Sequence, residues 1–577
     1  MDNQELMFLT EVNGKITLHD GIIITIKSDF ANFNTKSFET TFINNVVVER
    51  RDEKITGDEL YLVLEKDEKE IQDSIEKDEN LVRMSRNVIY KKPGYNLKAD
   101  ILEVYSIYQR AYTSSADNKQ VELSRGLIQF PITSVASDRS SGLIPASGNV
   151  SFYLKLYNAE TSNTVPSNFT LSIKPVSQSW QEGSGLDTVD YKDFTVGNTG
   201  SNWVQRQRND NGTISNWADE GGDYLTASNY TQVFESGLED LEVDVTILME
   251  EWLGNVYSNY GFGISLSASQ EASSSYNLTG AATSFYTKRF FARGTQYFYK
   301  KPAIEARWNS STKDDRGNFY YSSSLATGEQ NLNTLYFYNY VRGTLQNIPD
   351  VGTGLLRVRL HSGSMNNTQP SGSALTLTVD DRTGYGDSQL YATAGHVSTG
   401  IYSCSLAITG TARNKITDLF DVWYSGSVRY FTGSIVPKTF EGQRISTRPT
   451  YYLNITNLKD KYRDKENARF NLYTREKNWS PTIYTKANAD IETKTIESAS
   501  YRVYRVIDAY DAIPHGTGSD LHTVLSHDIS GNYFDLDMSL LQPGYEYALR
   551  FAFYDSSLLD WVEQDQTFKF RVESYEY

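Results

Sequence analysis

The stretch from Ser177 to Trp308 decides the reading of the fold. It opens with Trp180-Gln181-Glu182-Gly183-Ser184-Gly185 and reaches Trp217-Ala218-Asp219-Glu220-Gly221-Gly222-Asp223-Tyr224. Leu241-Glu242-Val243-Asp244-Val245-Thr246 leads to Trp252-Leu253 and then to Asn259-Tyr260-Gly261-Phe262-Gly263-Ile264. Phe285-Tyr286-Thr287-Lys288-Arg289 and Lys301-Pro302-Ala303-Ile304-Glu305 close it. Aromatic and β-branched residues in short runs, separated by Gly, Asn and Asp, suit a pleated, half-buried surface and predict strands joined by tight turns. The expected role is architectural, because no part of this stretch carries a reaction motif.

The whole chain shares that bias. It has 577 residues, 39% hydrophobic and 22% charged, with 41 Tyr and 26 Phe. This is globular composition, and its length predicts several cores. The net charge of −17 argues against nucleic acid as a partner, since phosphate contacts need basic stripes. Cys404 is the single cysteine, which excludes a disulfide scaffold. It alternates with Tyr402 and Leu406 as a buried strand thiol would. Met1-Asp2-Asn3-Gln4-Glu5 lacks the basic head and apolar core of a secretion signal, and no apolar run is long enough to span a bilayer. Synthesis in a cytoplasm without membrane insertion is expected.

Taken in order, residues 1–98 read as a small β/α docking region. Its runs Ile22-Ile23-Ile24-Thr25-Ile26 and Val46-Val47-Val48 are β-type, and Leu64, Ile71, Ile75 and Val82 fall on one face of an expected amphipathic helix. Residues 99–309 read as a jelly-roll sandwich, and Ser310 to Asn318 as a linker. Residues 318–440 read as a β-sandwich with strands at Leu335–Val341, Leu355–Leu360, Ala374–Val379, Gly400–Leu406 and Leu419–Tyr424. Residues 441–577 read as an immunoglobulin-like or fibronectin-like sandwich, with Pro543-Gly544 turning into the alternating strand Tyr545–Phe551. The expected fold class is all-β and multidomain.

The central stretch resembles the DNRLRE domain, a jelly-roll module of surface structural proteins. Trp180, Glu182-Gly183, Gly221-Gly222-Asp223, Asp244-Val245-Thr246, Trp252-Leu253, Asn259-Tyr260-Gly261-Phe262 and Pro302 carry the resemblance. Where that family has a Ser-Arg-Glu run, this chain has Thr287-Lys288-Arg289-Phe290, so the family's contacts at that edge are not carried over. Flanking segments are similar to structural proteins of tailed bacteriophages, especially marine ones. They include Asn318–Leu325, Leu332–Tyr336, His396–Ser403 and Lys477–Tyr484. The resemblance implies a virion component whose partners are other copies of itself and other virion proteins.

His515, His522 and His527 lie near Asp520 and Asp528, but their spacing matches neither a metalloprotease helix nor a finger, so turn and surface roles are expected. Asp380-Asp381-Arg382-Thr383-Gly384-Tyr385-Gly386-Asp387 has the composition of a calcium loop without its register, and a hairpin tip is the preferred reading. The pair Asp314-Asp315 is read in the same way. No nucleophile elbow, phosphate loop or Cys-His pair is present in the sequence. No catalytic, cofactor or metal residue is therefore assigned, and no cofactor is expected. Trp203, Trp217, Tyr224 and Trp479 are the candidate contacts for a glycan or a partner, because open ring faces stack on sugars. A non-enzymatic virion structural protein is expected; the alternative is a glycan-binding adhesin that contacts the host surface.

Overall fold

The computed structural model describes residues 6–17, 23–34, 39–50, 53–63, 82–84, 89–92, 95–98, 104–113, 119–160, 166–182, 200–208, 213–226, 228–271, 284–363, 370, 372–379, 390–408, 416–439, 450–477 and 493–575. It is an all-β, multidomain chain with two compact units, Met1–Ala306 and Arg307–Tyr577.

The first unit opens with long strands β1 (Leu6–Thr17), β2 (Ile23–Asn34), β3 (Glu39–Arg50) and β4 (Glu53–Val63), paired in sequence order and antiparallel. The short strands β5 (Val82–Met84), β6 (Ile89–Lys92) and β7 (Tyr95–Lys98) complete a seven-stranded sheet. Residues 64–81 of the expected helix lie outside the described residues. Val82, placed by spacing on that helix's face, instead pairs with Leu62 as a strand residue. Val82-Arg83-Met84 alternates with period two, and β4 has an edge to receive it.

The jelly-roll region follows, with β8 (Val104–Thr113), β9 (Lys119–Leu123), β10 (Gly126–Ile128), helix α1 (Thr133–Ser141), β11 (Ser151–Leu156) and β12 (Phe169–Pro175). It continues with β13 (Gln205–Arg208), β14 (Ile214–Asn216), β15 (Tyr230–Phe234), β16 (Leu241–Asp244), helix α2 (Thr246–Leu253), β17 (Phe262–Leu266), β18 (Ser284–Phe291) and β19 (Ala303–Arg307). One sheet has the order β10-β17-β12-β15; β16-β11-β19 and β18-β8-β9 are joined by the bridge Asn158–Phe290. Phe152, Leu154, Leu171, Ile173, Phe262 and Phe290 are among the side chains fully buried in its interior. Trp252 packs edge-on against Phe262, with centroids 5.0 Å apart. Gly261, at φ +81°, lets the chain pass the backbone of Ile128 and Gln129 where a Cβ would collide.

In the second unit, β20 (Asn333–Tyr338) precedes the hairpin β21 (Tyr340–Val341) and β22 (Thr344–Leu345). Then come β23 (Leu356–Gly363), β24 (Leu377–Val379), β25 (Ala392–Ser398), β26 (Ile401–Ile408), β27 (Asp418–Ser425) and β28 (Val428–Ile435). The sheet runs β20-β26-β25-β23-β27-β28, with β24 also on β26. It curls so that Phe337 of β20 stacks on Phe431 of β28 with centroids 5.3 Å apart, above the buried Trp423 and Tyr402. Cys404 is buried in β26 as expected, and burial pushes its thiol up.

The last sandwich has sheets β29-β31-β35-β34 and β30-β38-β36-β32-β33, with β37 on β36. Their strands are β29 (Tyr451–Ile455), β30 (Lys461–Arg463), β31 (Asn467–Glu476), β32 (Ala499–Arg505), β33 (Asp511–Ile513), β34 (Ser526–Asp528), β35 (Gly531–Asp537), β36 (Glu546–Asp555), β37 (Asp560–Glu563) and β38 (Phe568–Glu573). The buried Tyr547 hydroxyl donates to the carbonyl of Gln542 at 2.8 Å, just before the Pro543-Gly544 turn. A tyrosine reaching back across such a corner is a feature of immunoglobulin-like sandwiches.

Candidate functional site

Three of the four candidate aromatics lie in one loop cluster of the first unit. The Asp223 carboxylate accepts the backbone N–H groups of Ala218 and Asp219 at 2.9 and 2.8 Å, which closes the loop ahead of it. Gly221 and Gly222 take φ +87° and +110°, conformations open to glycine. That turn aims the Gly221 carbonyl inward, where it accepts both Arg125 Nη1 and the Tyr224 hydroxyl at 2.8 Å. Arg125 also forms a two-bond pair with Glu271, each bond 2.8 Å.

The aromatics pack around this arrangement, Trp217 buried and Trp203 and Tyr224 half-buried. Trp203 covers the Arg125 guanidinium at 4.8 Å and Tyr224 lies 5.9 Å from it. The Tyr224 ring also fills the space over Gly263. Trp217 is buried, and its indole N–H donates to the Asn202 carbonyl at 2.9 Å. Burial raises the Tyr224 hydroxyl above the usual phenol range, and nearby Arg125 offsets part of that rise. Trp479 and Asp380–Asp387 lie outside the described residues.

A second polar cluster sits on the segment expected to be a linker. Lys313 bridges His527 in parallel; Asp314 N–H donates to the His527 carbonyl at 2.9 Å and His527 N–H to the Thr312 carbonyl at 3.0 Å. The segment therefore forms an added edge against β34. On its other side Arg316 enters the first sandwich of this unit. Its guanidinium makes two bonds to Asp421 of β27 at 2.5 and 2.7 Å, while the Trp423 indole N–H donates to the same carboxylate at 2.6 Å. The Arg316 group also lies 5.4 Å from the Phe431 ring. Asp421 is fully buried and Asp314 nearly so. Burial pushes the Asp314 carboxyl up to about 6, Arg316 pulling it down and Asp421 up. Linker composition could not disclose this, because the partner of Arg316 lies far along the chain.

His515 and His527 take separate partners, and the His522 ring packs over Gly516 beside His515. His527 Nε2 is 3.1 Å from Asp315 Oδ1, while His515 Nδ1 is 3.0 Å from Ser500 Oγ and its Nε2 3.5 Å from Glu563. Hydroxyl, imidazole and carboxylate thus stand in the order of a hydrolytic relay. Ser500 is fully buried, however, and shares its hydroxyl with Thr523 at 2.8 Å. A nucleophile must reach an incoming carbonyl, and this one faces its own core. Among the described residues no group of three or more His, Cys, Asp or Glu converges as a metal site. No helix among them is long and apolar enough to cross a membrane.

No protein-family model and no curated protein matches the chain. Among solved structures it is similar to Salmonella alpha-2-macroglobulin reacted with methylamine, at 8% identity and a TM-score of 0.13, over 99% of this chain and 34% of that one. The chain spans about a third of that protein's length, and a likeness of this size carries no argument.

Proposed function

We propose that this chain is a non-enzymatic structural protein of a tailed-bacteriophage particle, assembling with copies of itself and with other virion proteins through its β-domains. The observation that supports this reading best is the inward use of the loop aromatics. An adhesin's stacking platform needs ring faces open to solvent. Here Trp217 is buried, and Trp203 and Tyr224 enclose the Arg125–Glu271 pair. Exposed apolar hairpin tips are suitable contacts for a partner: Leu558 and Leu559 between β36 and β37, and Ile507 after β32. The phage attribution is supported by the segments Asn318–Leu325, His396–Ser403 and Lys477–Tyr484; that resemblance indicates a virion component without assigning its position, and the tail, neck or baseplate periphery is the placement proposed.

Quantitative mass spectrometry of purified virions, with immunogold labelling, tests the reading. A fixed, symmetry-matched copy number at one location is expected. Absence from particles overturns it. Binding of the isolated protein on a glycan array, abolished by Trp203→Ala, would replace it with the adhesin reading.

A further inference from the structure

We infer that Lys288 and Asn158 join through an intramolecular isopeptide bond, which ties the segment after β11 to β18 inside the jelly-roll. Lys288 is about as buried as a side chain can be, at 1% exposure. Its Nζ donates to Asn158 Oδ1 at 2.8 Å, to the Gly237 carbonyl at 2.9 Å and to the Glu239 carbonyl at 2.6 Å. The rings of Phe234 and Phe290 flank it at 4.7 and 5.1 Å. A lysine is almost never fully buried unless it is paired, and the three oxygens that accept from this one are neutral.

The two reacting groups are fixed from both sides. Asn158 bridges Phe290, its own N–H donates to Asp240 Oδ1 at 2.6 Å, and Ala159 N–H donates to the Arg289 carbonyl at 3.0 Å. Phe291 N–H donates to the Tyr157 carbonyl at 3.0 Å. The backbone pairing on both sides keeps the Lys288 amine within hydrogen-bond distance of the Asn158 side-chain amide, so the two groups that would react are already together. Asn158 Nδ2 is the leaving group, and the proton it needs is the one that Nζ gives up. Burial also pushes the Lys288 amine down to about 8, which leaves roughly one molecule in ten neutral at pH 7.

The step balances without an oxidant or co-reactant. Neutral Nζ attacks Asn158 Cγ, the proton it sheds passes to Nδ2, the Cγ–Nδ2 bond breaks and ammonia leaves. The product is an Nζ–Cγ amide that spans 130 residues of sequence. A buried ammonium is exchanged for a neutral amide, whose N–H keeps a carbonyl acceptor.

The intact mass of the purified, folded full chain tests this. A mass about 17 Da below that of the sequence is expected, with a branched peptide joining Lys288 to Asn158 in the digest. Lys288→Met and Asn158→Ala should show the full mass. A folded wild-type chain at full mass overturns the inference. So does an ammonia loss without the branched peptide, which would be succinimide at another asparagine. Because the wild-type mass decides, a variant that fails to fold leaves the test intact.

Discussion

Asp421 has no solvent exposure, and two groups depend on it: the Arg316 guanidinium and the Trp423 indole N–H. Replacing a buried pair as a whole can be nearly neutral, but removing one partner strands the other charge. Asp421→Ala is therefore expected to destabilise the second unit by about 3–5 kcal/mol in urea unfolding, and more than Arg316→Met, which leaves an acid that can protonate. Asp314 gives a prediction of opposite character. Its folded value of about 6 lies above the ordinary aspartate value of about 3.9. The folded state thus holds the proton more tightly, and the stabilisation is complete below about pH 4 and lost as pH rises through about 6. Wild type should lose about 2–3 kcal/mol relative to Asp314→Asn between pH 4 and pH 7. Comparing the two proteins at both pH values removes the contribution of every other carboxylate; parallel profiles would show that Asp314 does not titrate in this window.

Among the elements, strands with strong alternation were legible in the sequence. Leu356–Leu360 falls in β23 and alternates between buried and more exposed side chains, and Tyr402-Ser403-Cys404 lies in β26 with its thiol inward; Leu419–Tyr424 falls in β27 but is buried at every position. Turn glycines were legible too: the Asn-Tyr-Gly-Phe motif needs Gly261, whose added Cβ would strike the Ile128 carbonyl. Gly261→Ala combines that collision with a positive φ and is expected to cost about 2–4 kcal/mol by thermal unfolding of the first unit. Leu559 breaks the same rule in the other direction. It holds φ +54° at an exposed hairpin tip, a conformation that costs a branched L-residue about 1 kcal/mol or more. Leu559→Gly should raise the stability of the last sandwich by up to about 1 kcal/mol. If the tip is an assembly contact, the same change weakens incorporation into particles, so stability and assembly move in opposite directions. The directions of rings were not legible. Trp203 and Tyr224 have residue types suited to stacking on a sugar, and only the placement of Arg125, distant in sequence, turns them inward.

For the molecule as a whole, the segment Thr312–Gly317, expected as a linker, shows how such a composition can instead cap an edge. Ser, Thr, Asp and Gly report a willingness to turn, and a linker and an edge-capping segment share that willingness. What separates them is whether the side chains find partners, and here Asp315 accepts from Thr334 N–H at 2.7 Å and meets His527, while Arg316 finds Asp421. The same few residues thus hold β20 and β27 of one sandwich and β34 of the next. Cooperative unfolding follows the contacts that link two cores. Residues 307–577 should melt in a single calorimetric transition, with calorimetric and van't Hoff enthalpies in agreement. A chain beginning at residue 318 loses Arg316, the Asp315 contacts and the Lys313–His527 bridge together. It should show two transitions, the lower belonging to the sandwich that contains Asp421, because that carboxylate is then buried without its cation. The Arg316→Met variant of the longer chain distinguishes the causes. It keeps the backbone pairing to β34, so a single transition at reduced temperature assigns the coupling to the backbone edge, whereas two transitions assign it to the ion pair.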